Sequence, residues 1–312
     1  CPPPHNQYVM ASPDTSPAFD LLTEHPSGED YVHYLEGVFR HFRLEMNANI
    51  EVKSIEDKKD SFVLKTNKGV YGCTFVIWAA GEYQYPKTNS FEGEHLCSHY
   101  SMIDSFSNLP GCGSVVIGAY ESGFDAAINL VEHGKKVTLI DNSQYLEWIQ
   151  SDSSYSLSPY TRDRIKRVLD KIDYWVDKRV VKVELVNNEY VVTTDTNDTF
   201  SSESKPINCT GFDTSLKLVK ELFEFEEGYP LLTDFDESQK TRNLFLVGPQ
   251  VKHGTALFCF IYKYRQRFAI VAEKIAKRIN IPDHKIDMTL QEYQRNNFYL
   301  NDLSCCDDEC VC

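Results

Sequence analysis

Apolar side chains along the chain recur at two spacings, and the changes between them mark helices and strands. From Ser27 to about Arg43 they recur every three or four residues, which predicts a helix opened by a capping box of Ser27 and Asp30. A second long helix is predicted from about Thr255. The side chains expected to face a core are Tyr31, Tyr34, Leu35, Val38, Phe39 and Phe42 in the first helix and Ile261, Phe268, Val271, Ala272, Ile275 and Ile279 in the second.

Short β-branched runs form a pattern that occurs twice. Residues 49–81 and residues 178–211 each predict a three-stranded β-meander, followed by a buried strand that ends in a small-residue turn. The last residues of these turns are Gly81 and Gly211. The repeat indicates two domains built on one plan, which implies two cofactors.

A βαβ unit precedes the second meander. A β-branched strand ends at Gly118, a helical segment begins near Gly123, and a further strand ends at Asp141. Strand, tight turn and helix in this order place a helix N-terminus where it can hold a phosphate. An acid about 20 residues further on is the ribose-binding position of a dinucleotide fold. This context favours dinucleotide binding over a nucleotide-free α/β unit, in which Asp141 would only cap a surface turn.

The residues around this turn bear on which dinucleotide is bound. A carboxylate at Asp141 accepts hydrogen bonds from ribose hydroxyls and repels a 2′-phosphate, and no Arg occurs in residues 142–144. The sequence therefore favours NADH over NADPH. Tyr120 replaces the middle glycine of the usual pattern, and its Cβ is expected to displace or tilt the cofactor.

The first meander is preceded only by the helix from Ser27, so we expect its matching βαβ start upstream of Cys1, in an N-terminally truncated chain. The predicted fold class is α/β, with two Rossmann-like three-layer dinucleotide-binding domains, one inserted in the other and each with a β-meander. The predicted outer domain comprises residues 1–108 and 212–285, the inserted domain residues 109–211, and a Cys-rich tail residues 286–312.

Composition narrows the class of protein. A chain of 312 residues with 42% hydrophobic and 25% charged residues is typical of globular domains, and its net charge of −14 argues against nucleic acid or an anionic membrane as the main partner. No apolar run is long enough to span a membrane, and no signal peptide is evident, which favours a cytoplasmic location. The ten cysteines do not form a secreted disulfide scaffold, because five are isolated.

The turns ending at Gly81 and Gly211 and the helix after Gly248 resemble FAD- and NAD(P)H-dependent flavoprotein oxidoreductases, the superfamily of pyridine nucleotide-disulfide oxidoreductases and flavin-containing monooxygenases. Segments 12–17, 24–28 and 118–125 are similar to bacterial flavoproteins described as accessory to CzcD-type cation efflux. The resemblance makes the outer domain FAD-binding and the inserted domain NAD(P)-binding.

The same resemblance implies the cofactor contacts. Expected at the nicotinamide dinucleotide are Gly118, Tyr120, Glu121, Ser122, Gly123 and Asp141. Expected along the FAD are Val52, Ala80, Gly81, Gly248, His253 and Gly254, with Gly211 as a further cofactor-binding candidate. Without an N-terminal FAD fingerprint, these residues alone are expected to hold FAD poorly, and Pro249 stands where many such enzymes carry an Asp.

The electron acceptor is less well defined by the sequence. No CxxC pair occurs within the predicted domains, and the stretch Phe91-Glu-Gly93 to His99 matches the monooxygenase motif only with a longer spacing and without its Trp. Four tail thiols either bind a soft metal such as zinc, copper or cadmium, or relay electrons through Cys305 and Cys306, and the acids between them favour metal. The candidate metal ligands are Cys305, Cys306, Cys310 and Cys312.

These observations predict an FAD-dependent oxidoreductase in which NAD(P)H transfers a hydride to flavin. The acceptor stays open among a thiol or disulfide, a metal and oxygen. The alternative is a non-catalytic accessory or sensor protein that binds metal for a cation-efflux transporter. The oligomeric state also stays open, a homo-oligomer included.

Overall fold

A computed structural model describes residues 26–150 and 154–304. The chain divides into two compact units. One unit is Glu82–Thr214, and it is inserted into an outer unit formed by the chain up to Gly81 and from Ser215. The predicted insertion of one domain into another is confirmed. In the described ranges no helix is both long and apolar enough to cross a membrane.

The helices and strands are as follows in chain order. The helices are α1 Gly28–His41, α2 Glu121–Glu132, α3 Pro159–Lys166, α4 Ile261–Arg278 and α5 Asp283–Arg295. The strands are β1 Val52–Asp57, β2 Phe62–Thr66, β3 Gly69–Cys73, β4 Val76–Trp78, β5 Ser98–His99, β6 Gly113–Ile117, β7 Lys136–Ile140, β8 Ile172–Trp175, β9 Val180–Val186, β10 Glu189–Thr194, β11 Thr199–Ser202, β12 Ile207–Asn208, β13 Phe225–Glu226, β14 Tyr229–Pro230, β15 Leu244–Leu246, β16 Lys252–His253 and β17 Ala256–Leu257.

The inserted unit has three layers. Its central sheet has the strand order β5-β12-β6-β7-β8, and the assigned pairs are parallel. Successive residues of β6 point to opposite faces: Val116 packs with the buried side chains of α2, whereas Val115 and Ile117 pack with the antiparallel meander β9–β11. A continuous apolar strand is therefore covered on both faces, as is usual in parallel sheets.

The outer unit repeats parts of this plan. Strands β1–β3 form an antiparallel meander, and the short strand that follows, β4, pairs parallel with β15. In the inserted unit the strand after the meander, β12, likewise pairs parallel with β6. The predicted resemblance of residues 49–81 to residues 178–211 is confirmed at the level of strand order.

Two of the predicted apolar faces are wrong in part. Helix α1 has the predicted capping box, but only Tyr34 of its apolar stripe is buried. Tyr31, Val38 and Phe39 are half-buried, and Leu35 and Phe42 are exposed. Helix α4 begins at Ile261, since residues from Thr255 form the β16–β17 hairpin, and Phe268 and Ile279 are exposed. The inner face of α4 carries Arg265 and Arg267 instead.

The division between the units falls after Gly81 and Thr214, whereas the sequence-based bounds lie after residues 108 and 211. Hydrogen bonds account for the difference. The backbone N–H of Glu92 donates to Val181 O at 3.0 Å, and β5 pairs with β12, so the segment from Glu82 is part of the inserted unit's sheets.

Candidate functional site

The turn between β6 and α2 is built from two glycines in close contact. Gly118 has a φ of +93°, and a Cβ added to it would lie 2.8 Å from the carbonyl oxygen of Cys209. A Cβ on Gly123 would lie 1.9 Å from the carbonyl oxygen of Gly118. The first turn of α2 therefore packs directly on the glycine turn, and its backbone N–H groups are held at the carboxyl end of the sheet.

The neighbouring predicted residues have different surroundings. Tyr120 is the N-cap of α2, in extended conformation, and its ring packs on that of Tyr145 with 5.0 Å between centroids. Glu121 accepts hydrogen bonds from Ser158 N at 2.5 Å and from Thr161 Oγ1 at 2.6 Å. Its carboxylate thus joins the start of α2 to the start of α3, which directs its charge away from the glycine turn.

Asp141 follows β7 and lies next to the same turn. Its Oδ1 accepts a hydrogen bond from the N–H of Ala119 at 3.2 Å, whereas its Oδ2 is buried and has no hydrogen-bond partner among the described residues. Burial raises the pKa of Asp141 to about 6, although nearby backbone N–H groups, chiefly that of Ala119, oppose the shift. The carboxylate is only 3% exposed, so it is directed inward, to the turn that precedes α2.

A cavity of about 440 Å³ opens in the inserted unit at the carboxyl ends of β5 and β12. Its walls include Lys87, His95, His99 and Asn208. Ligands of α/β sheets bind outside the carboxyl ends of the strands, so the cavity has the position of a ligand site. His99 is already engaged, since its Nε2 donates to Gly211 O at 3.0 Å while its Nδ1 accepts from Ser101 N.

The outer unit brings two predicted glycines together. Gly81 and Gly248 follow the paired strands β4 and β15, with φ of +63° and +109°. Among the described residues, no atom would lie within 4 Å of a Cβ on either glycine. Ala80 packs against the outer unit's core, and Val52 begins the separate meander sheet, where the register of β1 is interrupted.

His253 is held by a buried ion pair. Its Nε2 lies 2.6 Å from Oδ1 of Asp236, and the guanidinium of Arg267 contacts the same carboxylate at 2.9 Å and 3.0 Å. The side chains of Asp236 and Arg267 are fully buried, and His253 is 9% exposed. Because an ionised carboxylate only accepts, Nε2 carries the proton, and Nδ1 of a neutral His253 is an acceptor.

A second ion pair supports the same helix. Arg278 binds both oxygens of Glu237, at 2.5 Å and 2.8 Å, and the N–H of Asn243 donates to the same carboxylate at 2.6 Å. Burial raises the pKa of Glu237, but the hydrogen bonds and charge from Arg278 outweigh it and hold that pKa below its ordinary value. The two pairs fix the strand after Asn243 against α4.

Sequence reasoning missed Asp236 and Arg267, which orient His253. The available signal was an Arg within the apolar stretch that becomes α4, because an Arg among apolar residues requires a buried partner. The tail cysteines, Cys305, Cys306, Cys310 and Cys312, lie outside the described residues. Within the described residues five cysteines occur, none of them in a disulfide, and no cluster of three or more His, Cys, Asp or Glu could hold a metal.

A family model for pyridine nucleotide-disulphide oxidoreductases matches residues 5–248. The chain therefore belongs to this family of NAD(P)H-dependent flavoprotein oxidoreductases, and the predicted class of enzyme is confirmed. Family membership implies the use of FAD and of a nicotinamide dinucleotide.

Individual relatives are distant. The bacilliredoxin reductase Bdr of Bacillus subtilis is 22% identical over 227 residues, which cover 72% of this chain and 68% of that protein. An uncharacterised CzcO-like oxidoreductase of Geobacillus kaustophilus is 31% identical over 113 residues, 35% of this chain and 32% of its own length. The solved bacillithiol disulfide reductase of Staphylococcus aureus shares the fold, with a TM-score of 0.69, 20% identity and coverage of 82% of this chain and 79% of that chain.

The residues present fit the implied cofactors. In the inserted unit, the glycine turn leaves no room for a Cβ at Gly118, and Oδ2 of Asp141 is an orphaned acceptor. In the outer unit, Gly81 and Gly248 end two paired strands, and the imidazole of His253 in the following hairpin is fixed by Asp236. Backbone N–H groups, a carboxylate and an imidazole are groups suited to hydrogen-bond phosphate, ribose and a flavin ring.

Proposed function

We propose that the chain catalyses the reduction of a disulfide by NADH through bound FAD. The overall reaction is NADH + H⁺ + RS–SR → NAD⁺ + 2 RSH, in which the nicotinamide is oxidised by two electrons and the S–S bond is broken. FAD, when bound, would carry the two electrons from the nicotinamide to the disulfide. The protein's contribution is to bind and orient both cofactors.

The observation that carries the NADH half of this proposal is Asp141 beside the glycine turn. Its buried Oδ2 is free to accept a hydrogen bond. Its Oδ1 accepts from the N–H of Ala119, a residue of the turn at which a phosphate would bind. The charge of Asp177 acts on Asp141 as well. Two carboxylates near one ribose position disfavour the 2′-phosphate of NADPH.

The flavin half rests on the outer unit. The predicted contacts Gly81, Gly248, His253 and Gly254 fall on the ends of paired strands and the hairpin that follows them. Arg267 and Asp236 fix the tautomer of His253, which leaves Nδ1 as an acceptor for an N–H or O–H group.

A disulfide acceptor is supported by the names of two relatives, a bacilliredoxin reductase and a bacillithiol disulfide reductase. Among the described cysteines, Cys97 and Cys209 are poor candidates for attack on a disulfide, because burial raises the pKa of each thiol. Cys305 and Cys306 remain the candidates for electron relay within this chain. We place the reaction in the cytosol, where thiols are kept reduced.

The test separates the two half-reactions. The full chain is loaded with FAD and mixed anaerobically with NADH or NADPH, and flavin absorbance is followed by stopped flow. We expect bleaching at lower concentrations of NADH than of NADPH, and re-oxidation by bacillithiol disulfide. Cys305→Ser and Cys306→Ser are expected to slow only the second step.

The possible negative results of this experiment contradict different parts of the proposal. A flavin-loaded chain that NADH never bleaches would contradict the oxidoreductase proposal and favour a non-catalytic, metal-binding accessory protein. Bleaching followed by re-oxidation by oxygen alone would contradict the disulfide acceptor. A zinc titration of the same sample, with thiol accessibility as readout, tests the metal role of the four tail cysteines.

A further inference from the structure

Two buried polar atoms of the inserted unit lack hydrogen-bond partners among the described residues, and they lie on neighbouring strands. They are Oδ2 of Asp141 and the hydroxyl oxygen of Tyr174. Buried polar groups of native proteins are almost always paired, and an unpaired one costs free energy. Two such atoms together indicate a place where a ligand supplies the missing hydrogen bonds.

The strand register puts both side chains on one face of the sheet. Tyr174 of β8 stands opposite Leu139 of β7, and Asp141 is two residues beyond Leu139. Residues two apart on a strand point to the same side. That side faces α2, since the ring of Tyr174 packs on Phe124 with 5.7 Å between centroids. The ring of Tyr174 therefore lies against the first turn of α2, on the same side of the sheet as Asp141.

The two atoms are chemically complementary. Burial raises the pKa of Tyr174 and the charge of Asp141 raises it further, so the phenol remains a donor. An ionised Asp141 only accepts. A group that satisfies both atoms must donate one hydrogen bond and accept another, which a hydroxyl or a vicinal diol does and a phosphate dianion does not.

We propose that Tyr174 is a second recognition residue of the adenosine-ribose site, where its hydroxyl and Oδ2 of Asp141 together bind the vicinal diol of NADH. This inference rests on the proposed use of NADH. In the free protein Asp141 is held inward by Ala119 N–H. If a phosphate oxygen bound at the N-terminus of α2 accepted from that N–H, the Asp141 carboxylate would be released to accept from the ribose, and the Tyr174 hydroxyl would donate to the same diol.

Nearby charge makes the site selective. Asp177 and Glu147, with Asp141, act on the Tyr174 hydroxyl. A 2′-phosphate placed there would face three carboxylates and would lose the donor that Oδ2 needs. Tyr174 thus contributes to discrimination between NADH and NADPH as well as to affinity.

The experiment measures binding to the full chain by isothermal titration calorimetry. The variant is Tyr174→Phe, and the matched control is Tyr190→Phe, a half-buried tyrosine in β10 of the same unit. We expect Tyr174→Phe to weaken NADH binding about fivefold to tenfold, the effect of one hydrogen bond, and to leave NADPH binding nearly unchanged. Tyr190→Phe should change neither.

A second pair of ligands tests the diol itself. Wild-type protein should bind ADP more tightly than 2′-deoxy-ADP, and Tyr174→Phe should abolish most of this preference. Thermal stability of Tyr174→Phe should equal or exceed that of wild type, because the substitution removes an unpaired buried hydroxyl. A loss of stability with unchanged NADH affinity would mean that the hydroxyl is structural only, and would overturn the inference.

The outcomes also separate this inference from the proposed function. If wild-type protein binds neither NADH nor ADP, the proposed function fails and this inference with it. If wild-type and Tyr174→Phe bind NADH equally and show the same penalty for 2′-deoxy-ADP, the proposed function stands and Tyr174 is excluded from the ribose site.

Discussion

Each unit ends two neighbouring parallel strands in glycines of positive φ, but the two units support these turns differently. In the inserted unit Gly118 touches the backbone of Cys209, and Gly123 of α2 rests on Gly118. In the outer unit no atom of residues 26–150 or 154–304 lies within 4 Å of a Cβ on Gly81 or Gly248. Backbone contact fixes the first site. Buried ion pairs, such as that of Arg267 with Asp236, fix the surroundings of the second.

The difference shows two ways of building a nucleotide site. In the inserted unit the close glycine contact lies within one continuous stretch, residues 114–141, and local packing stabilises it. The outer unit assembles its turn region from residues far apart in the chain and depends on charges removed from water. The second way fails when one partner of a buried pair is lost, because the other charge then stays buried without its partner.

The largest effect is expected from breaking the Arg267–Asp236 pair. Arg267→Met leaves the buried Asp236 carboxylate with the hydrogen bond from His253 but without the guanidinium, and is expected to lower the free energy of unfolding by about 3–5 kcal/mol. Urea unfolding followed by circular dichroism measures it. Arg40→Met, which removes the exposed pair with Glu36, is the control and should leave the unfolding midpoint within error. An equal loss in both variants would contradict the role given to the buried pair.

A pH dependence of opposite sign distinguishes the two units. The folded pKa of Asp141 is about 6 against 3.8 ordinarily, so the folded state holds the proton more tightly and stability falls as pH rises through this window. Asp141→Asn should remove a cost of about 3 kcal/mol at pH 7 and flatten the slope between pH 4 and 6.

Glu237 is the control for that measurement. Its pKa is lowered, so its stabilising contribution is complete above its ordinary pKa of 4.5 and is lost only as pH falls below that value. Glu237→Gln should therefore retain the slope between pH 5 and 6. A wild-type protein whose unfolding free energy is flat in that range would contradict the burial of an ionisable Asp141.

A smaller effect is expected from alanine at matched glycines. Gly118 and Gly211 have similar φ, +93° and +103°. With respect to the part of the chain that the structure describes, a Cβ on Gly118 would come within 4 Å of another atom and a Cβ on Gly211 would not. Gly118→Ala should cost about 1–3 kcal/mol more than Gly211→Ala, the usual cost of overpacking. Thermal unfolding of the two variants checks it. Equal losses would show that φ alone, and not the close approach, requires glycine at 118.

The smallest effect concerns the thiols and is a difference of rate. Burial and, secondarily, Glu94 raise the pKa of Cys97 to about 12, whereas Cys112 is exposed. Iodoacetamide at pH 8 should modify Cys112 at least tenfold faster than Cys97, because the thiolate is the reacting form. Peptide mass spectrometry resolves the two. Equal rates would mean that Cys97 is accessible and would readmit it as a redox candidate.

The features predicted best from the sequence are those that residues close together in the chain determine. The capping box of Ser27, the two meanders and the strand-turn-helix at Gly118 depend on local spacing, and the structure has them. The incomplete burial of the α1 stripe was not predictable, because spacing identifies an apolar face and not what covers it. Asp236 and Arg267 were missed since their pairing joins distant segments: the apolar residues around Arg267 indicate that it needs a buried partner but do not identify that partner.

Hydrogen bonds between the two ends of the inserted unit bear on whether that unit can be separated from the rest of the protein. Lys87 N donates to Gly211 O at 3.1 Å, and Asp213 N donates to Tyr85 O at 2.6 Å. The segment that enters the inserted unit and the segment that leaves it are thus hydrogen-bonded side by side. A segment whose ends already meet behaves as a cassette: it can be excised from the gene, expressed alone, or exchanged for another with few changes at the seams.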